Sequence, residues 1–335
     1  MLQILSSFMI HPYTVSVLIP VYNAEPYIER CAKSVLEQTY PNLEIVFVND
    51  CSQDASIDLL RDVLKSFPQR ESFVSIIKHD TNKGIASARN TAVAAAHGEF
   101  LMFVDSDDWI EPDIVEKSVI EQQRFDSDIV STGYRVFERD INYEADENLS
   151  EDTQKMLIST ITGKISGRLW GHLIRRKLMT DHQLRFIDGA DLGEDVLMMT
   201  YFWFYAKKHT IIEDCLYNYD HRNMSSCTNT FNYKNSIQSF QNLDAAILFF
   251  EFHDKHYLEY MKMQELDKIV SHMIECSRDP LNRFYYNNVL LKRLDNIPRI
   301  LWKTVPWKYR IILYIKNYWI VKAIVAASPG HKMMK

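Results

Sequence analysis

The sequence predicts an α/β protein, an open and mostly parallel sheet followed by a mainly helical C-terminal region, and two observations carry that expectation. Short apolar, β-branched runs alternate with segments of helical periodicity through residues 14–133, and from Asn232 onward the pattern is helical almost throughout. With 335 residues, 47% of them hydrophobic and 24% charged, the chain has the composition of an ordinary globular protein. The net charge of -6 excludes a nucleic-acid binder held by a global positive field. Five cysteines without a CxxC pair suggest neither a disulfide framework nor a zinc site, and point to a reducing, cytosolic location. The opening MLQILSSFMIHPYT lacks a basic n-region and a small-residue cleavage site, so no secretory signal is expected. No run is apolar for the ~18 residues that a spanning helix needs.

Strands are expected at Val15 to Ile19, Glu44 to Val48, Phe73 to Ile77 and Phe100 to Val104. Between the first two, EPYIERCAKSVLEQ places Ile28, Cys31, Ala32, Val35 and Leu36 on one helical face. DASIDLLRDVLKSF repeats the pattern with Ile57, Leu60, Leu64 and Phe67, and GIASARNTAVAAAH gives an Ala-rich third helix ended by Gly98. Such alternation is the mark of βαβ units with right-handed crossovers. Residues 137–152 turn acidic and polar and read as a surface loop. Helical patterns then recur around Met156 to Ile161 and Val196 to Tyr205, with a short strand near Thr210 to Ile212.

In an open parallel sheet, ligands bind beyond the carboxyl ends of the strands. Here the four successive strand ends carry PVYNAE, NDCSQD, HDTNKG and DSDD. Acids one residue apart in an extended segment point the same way, so Asp105 and Asp107 address one ligand together. Crowded carboxylates repel unless a cation neutralises them, and hard Mg2+ or Mn2+ takes oxygen ligands while leaving positions open for phosphate. The alternative for DSDD alone is an N-cap cluster for a helix starting near Glu111, with Pro112 in its first turn.

Four stretches in this order, VSVLIPVYNAE, SVLEQTYPNLEIVFVND, NKGIASARN and GEFLMFVDSDDW, closely resemble the N-terminal half of the inverting GT-A glycosyltransferases of family 2. The resemblance is dense from Val15 to about Trp109 and resumes more weakly at GRLWGHLIRRKLM, GEDVLMMTYFWF and YNYDHRNMSSCT. It implies a GT-A domain over residues 1–230, made of a nucleotide-sugar half (14–133) and an acceptor half (150–230), before the helical region 231–335. It also implies that Pro20, Tyr22 and Glu25 line the nucleotide pocket, that Asp50 accepts hydrogen bonds from the base, most often uracil, and that Asn82, Lys83 and Arg89 lie near base or diphosphate. Asp105 and Ser106 would face the ribose or sugar, and Asp107 with Asp108 would bind the metal. The second loop departs from the usual Asp-Asp-Gly-Ser: it reads Asn49-Asp50-Cys51-Ser52, which puts the usual base-pocket geometry in doubt.

Sugar transfer needs a neutralised diphosphate, an acceptor hydroxyl placed in line, and a base for its proton. In GADLGEDVLMM, Glu194 and Asp195 open an apolar helix; acids there also complement the helix dipole. The resemblance makes Asp195 the base and Glu194 its acceptor-orienting neighbour, with Asp188 and Asp191 close by. Trp170 resembles an acceptor-side position where an aromatic face stacks on a sugar, although a core tryptophan is as good a reading. His221 and Arg222 fall in the loop that closes over the diphosphate in the family, His221 as a further metal contact.

From Lys292 to Lys335, ten Lys and Arg stand against one Asp, interleaved with Trp302, Trp307 and Trp319. This pattern suits an anionic membrane surface met from the inner face of the cytoplasmic membrane, or else a terminal helix pair with a solvated basic face. The whole points to a metal-dependent inverting transferase that takes a nucleotide-sugar, most simply a UDP-sugar, to a growing surface glycan: lipopolysaccharide, capsule or a lipid-linked oligosaccharide. A sugar nucleotidyltransferase or a non-catalytic nucleotide-sugar binder is the rival. The former would show a Gly-rich basic loop after the first strand, which PVYNAE is not, and the absence of GxGxxG disfavours a dehydrogenase.

Overall fold

A computed structural model of the chain describes residues 15–139, 141–145, 147–223, 233–278 and 280–326. The described residues gather into two compact units, one drawn from Met1–Thr160 and Ile165–Ser226, the other from Ile161–Lys164 and Cys227–Lys335.

The first unit opens with the expected repeat: β1 (Val15–Val21), α1 (Ile28–Leu36), β2 (Leu43–Asn49), α2 (Ser56–Lys65), β3 (Val74–Lys78), α3 (Ile85–Ala95) and β4 (Phe100–Phe103). β1 pairs in parallel with β2 and β4, and β2 with β3. Every residue of β1 and β4 is buried, as a parallel strand covered on both faces requires. The face foreseen for α1 is the face it buries. On α2, Leu60 is fully buried, while Ile57 and Leu64, with Phe67 just beyond the helix end, pack only partly against the core.

Beyond β4 come β5 (Trp109–Ile110), α4 (Ile114–Phe125), β6 (Ile129–Phe137), β7 (Asn142–Glu144), α5 (Thr153–Ile161), β8 (His172–Arg175), α6 (Lys177–Asp181), α7 (Glu194–Tyr205) and β9 (His209–Asp220). The sheet runs β3-β2-β1-β4-β8-β6-β9-β5, with β7 paired to β6, and it turns antiparallel at β4–β8 and β6–β8 before β6 and β9 pair in parallel.

Two expectations need correction. The acidic segment is not only a loop: β7 pairs with β6, and Glu147 forms an ion pair with buried Arg168 at 3.2 Å. The short strand at Thr210 is the start of a twelve-residue β9. Its charged Glu213 and Asp214 hid the continuation, and they are accommodated by register shifts opposite Thr132 to Tyr134 that leave both acids exposed. Gly133 makes room there, since a Cβ would come within 3.0 Å of Cys215 Sγ and Glu213 O.

Under this sheet, Ser131 Oγ lies 2.7 Å from both His172 Nδ1 and His209 Nε2. Burial holds His209 down at about 4 and His172 well below the ordinary histidine value. An unfolded histidine titrates near 6.5, so below that pH the unfolded chain binds a proton that the native site refuses, and native stability falls as pH drops. Between pH 7 and pH 5 the chain should therefore lose about 2 kcal/mol more than a His209→Gln variant does, as read from urea unfolding of the two at both pH values.

The second unit is helical, led by Tyr233–His253 and Leu258–Arg278, with a core that includes Phe250, Leu266, Ile269, Met273 and Leu290. Arg293 ties it together through Asp244 and Glu265. No helix among the described residues is long and apolar enough to cross a membrane.

Candidate active site

The parallel order of β3, β2, β1 and β4 delivers the four polar loops to one sheet edge, and side chains stitch those loops together. Asn23, at φ +48, accepts the Gln53 N–H through its side chain and donates its own N–H to Ser52 Oγ. Glu25 accepts the Ala55 N–H at 3.1 Å, so its carboxylate sits at the start of α2. Pro20 lies buried within β1, whereas Tyr22 is half exposed. Asn49, where the family pattern has an acid, accepts the Ser52 N–H and closes the turn that sets Cys51 at φ +62.

Asp50 is 3% exposed. Its Oδ1 faces His79 Nδ1 at 2.7 Å and accepts the Lys83 N–H at 2.8 Å, and its Oδ2 accepts the Gly84 N–H at 2.8 Å. The residue expected to read the base thus first fixes the loop that carries the exposed Asn82 and Lys83. Next to it, Asp191 Oδ1 accepts the Ala86 N–H at 3.0 Å. Gly84 is required by that approach: at φ +88, a Cβ would fall 2.2 Å from Asp191 Oδ2. Asp188 binds the same helix through Ser87 and Asn90.

The DSDD turn divides its acids. Asp105 is partly exposed and accepts from Arg89 Nη2 at 3.0 Å. Ser106 and Asp107 are partly exposed beside it. Asp107 accepts the Asn223 amide at 2.9 Å, and burial, followed by the charge of Asp105, pushes its pKa up. Asp108 turns the other way and is 0% exposed. Its Oδ2 accepts the Tyr217 hydroxyl and its Oδ1 the Asp220 N–H, both at 2.7 Å, which corrects its expected role as a metal ligand: it anchors the turn to β9 instead. Tyr217 also takes the Asp105 N–H at 3.2 Å.

Arg89 is buried, 3% exposed, and forks between two elements. Nη1 donates to Glu194 Oε1 at 2.5 Å while Nη2 holds Asp105. Far from lying open to a diphosphate, it joins the end of β4 to the start of α7. Burial, then the neighbouring Asp195, pushes Glu194 up to about 8 against the opposing pull of Arg89. Burial likewise raises Asp195, whose Oδ1 accepts its own helix's Val196 N–H. No ion-pair partner touches Asp195 among the described residues.

A second cationic knot lies at the end of β9. Asp220 receives Arg222 through Nε and Nη2, each at 2.7 Å, and Arg30 at 2.7 Å. Burial alone would raise Asp220, yet these donors outweigh it and hold it at about 2. Arg30 also donates to the Asp107 carbonyl and lies 3.7 Å over the Trp109 ring. His221 faces Glu138 through Nδ1 at 3.3 Å. Trp170, expected at the acceptor, is a core residue: 8% exposed, stacked on Tyr217 with ring centroids 4.3 Å apart and belonging to the main apolar cluster.

Sequence reasoning missed Arg30, His79, Tyr217, Asp220 and Asn223. The spacing of Tyr217 and Tyr219 on one extended segment was a usable signal for β9, since alternate residues share a face. Nothing local marked Arg30, whose partners lie 77 and 190 positions away.

Residues 16–182 match a family model described as glycosyl transferase family 2. EpsH of Bacillus subtilis, a protein assigned as a glycosyltransferase, is 33% identical over 212 residues, covering 61% of this chain and 60% of its own length. The chain thus spans less than two thirds of that relative. Among solved structures, S. aureus TarS 1-349 in complex with UDP-GlcNAc is similar with a TM-score of 0.72 at 18% identity, over 94% of this chain and 91% of that one. A mannosyltransferase from Pyrobaculum calidifontis, in complex with GDP-Man and Mn2+, aligns at a TM-score of 0.51 and 18% identity over 95% of this chain and 91% of that one.

Proposed function

We propose that this chain, which belongs to glycosyl transferase family 2 and has the GT-A fold, moves a sugar from a UDP-sugar to a hydroxyl of a growing surface glycan with inversion at the anomeric carbon. The observation that supports it most is the single buried guanidinium of Arg89, which joins Asp105 at the donor-side strand ends to Glu194 beside Asp195. In this reading Asp195 takes the acceptor's proton as its oxygen bonds to the anomeric carbon, and the bond from that carbon to the diphosphate breaks on the opposite face. Burial suits Asp195 to the task by raising its proton affinity. Glu194 orients the acceptor, and Tyr22, Asn82 and Lys83, exposed at the strand ends, meet the nucleotide. Asp50 keeps its role toward the base through whatever acceptor capacity its loop bonds leave.

A divalent cation fits the residues present. Asp107 is a partly exposed acid beside Asp105, with a neutral amide and no cationic side chain on its carboxylate among the described residues. Mg2+ or Mn2+ is commonly held by one or two carboxylates together with substrate phosphates, which Asp107 would satisfy without a full protein cage. When bound, the ion would supply Lewis-acid neutralisation of the departing diphosphate. The TarS complex with UDP-GlcNAc and the mannosyltransferase complex with Mn2+ support nucleotide and metal for proteins of this fold. Arg222 and His221 would close over the diphosphate, Arg222 by leaving Asp220. The acceptor is read as a lipid-linked glycan at the inner face of the cytoplasmic membrane, on the strength of the basic, aromatic C-terminal segment.

A thermal-shift series of UDP, GDP, CDP and dTDP, each with and without Mn2+, tests this reading, because ligand binding raises the apparent melting temperature. A rise with UDP that needs Mn2+ is expected. A chain indifferent to every nucleotide would remove the donor assignment.

A further inference from the structure

We propose that the helices at the C-terminal end of the second unit present a face that lies on the surface of an anionic lipid bilayer. In helix Trp307–Ile315, Ile312 and Leu313 are buried, and these satisfy the unit's own core. Yet Trp307, Ile311 and Tyr314, spaced i, i+4 and i+7 on another face, are 82%, 48% and 69% exposed. The next helix, Tyr318–Ala326, repeats this: Tyr318 and Val321 are buried while Trp319 and Ile320 remain exposed. Two successive helices therefore carry more apolar surface than the unit uses, which for a water-facing helix has no folding benefit.

The charge around this face identifies the occupant. Residues 280–326 contain nine Lys and Arg and a single acid, Asp295, in a chain whose total is -6. Some of these cations flank the exposed rings: Arg283 and Lys322 lie 5.2 Å and 5.7 Å from the Trp319 ring centre. Arg299 and Lys303 are exposed on the segment just before Trp307. Tryptophan and tyrosine favour the headgroup level of a bilayer, aliphatic residues the acyl boundary beneath it, and nearby Lys and Arg are attracted to anionic lipid. Nucleic acid would use the cations but not Ile311 and Ile320. A nine-residue helix spans only about 14 Å, far short of a hydrocarbon core of about 30 Å, so these helices lie in the interface rather than cross it. The use of such a surface to a transferase rests on the proposed lipid-linked acceptor; the surface itself does not.

Co-sedimentation of the full chain with vesicles tests the proposal. Vesicles of phosphatidylcholine containing one third phosphatidylglycerol should bind it at least about tenfold more tightly than phosphatidylcholine alone, and about 1 M salt should reverse much of that preference. A triple variant, Trp307→Ser with Ile311→Ser and Tyr314→Ser, alters only exposed positions and should bind anionic vesicles about tenfold more weakly. Equal binding to neutral vesicles, or none to either, overturns the proposal, and so does an unchanged triple variant. Concentration-dependent dimerisation that the same variant abolishes would assign the face to a second copy instead. The UDP-induced thermal shift, read on the same preparation, separates the two readings: a retained shift without vesicle binding removes the membrane surface alone, and vesicle binding without a shift removes the donor reading alone.

Discussion

Asp195→Asn is expected to lower sugar transfer by roughly 10²- to 10⁴-fold while leaving UDP binding unchanged, the loss typical of removing a positioned general base. The substitution is close to isosteric, and an amide oxygen still accepts the Val196 N–H that orients the side chain. The ion pairs of Arg89 with Asp105 and Glu194 involve neither Asp195 oxygen, so the strand-end geometry survives. What disappears is the proton acceptor. Since the base acts only when ionised and burial holds its pKa up, the wild-type rate should also climb as pH rises through the acid range. Single-turnover transfer alongside UDP titration of both proteins checks this. A variant that keeps most of its rate would move the base to another carboxylate, Asp188 or Asp191 being the neighbours on the same loop.

Arg89→Met should be the most destabilising single change at the site, by about 3–5 kcal/mol in urea unfolding, because it strips the cation from a buried pair and leaves a carboxylate without its partner. Glu194 is the group most exposed to that loss, because burial and Asp195 push its pKa up and the Arg89 charge opposes them, so without the guanidinium it is left either as an unpaired buried charge or forced to take a proton. Methionine preserves much of the volume, so the effect reads charge rather than packing. Arg89→Lys, a point charge without the fork, should fall between the two, since one ammonium does not reproduce both arms to Asp105 and Glu194. If Arg89→Met unfolds with less than about 1 kcal/mol of loss, the guanidinium is not what joins the two elements.

The repeat from β1 to β4 was legible because period and burial agree there: the apolar face of α1 could be named residue by residue. The strand ends were legible too, as places. Roles within them were not, because they are set by partners far away in sequence. Asp50 and Asp108 looked like open acids, yet each is engaged by partners supplied 29 to 34 and 109 to 112 residues later. The extended alternation expected for Asp105 and Asp107 does not hold either, because the Asp108 N–H donates to the Asp105 carbonyl at 3.1 Å and closes a turn. Trp170 offered two readings, and stacking on Tyr217 decides for the core. β9 was truncated in the reading because Glu213 and Asp214 break the apolar run, and only the bulge opposite Gly133 explains how a strand continues through them.

The measurement that bears most directly on the central claim is a crystal structure of the chain with UDP and Mn2+. The expected result places the nucleotide across the carboxyl ends of β1, β2 and β4, with Mn2+ between the diphosphate and Asp107, Asn223 released from that carboxylate, and Asp108 still bound to Tyr217. UDP bound elsewhere, or Asp107 still holding Asn223 with no ion beside it, would contradict the account.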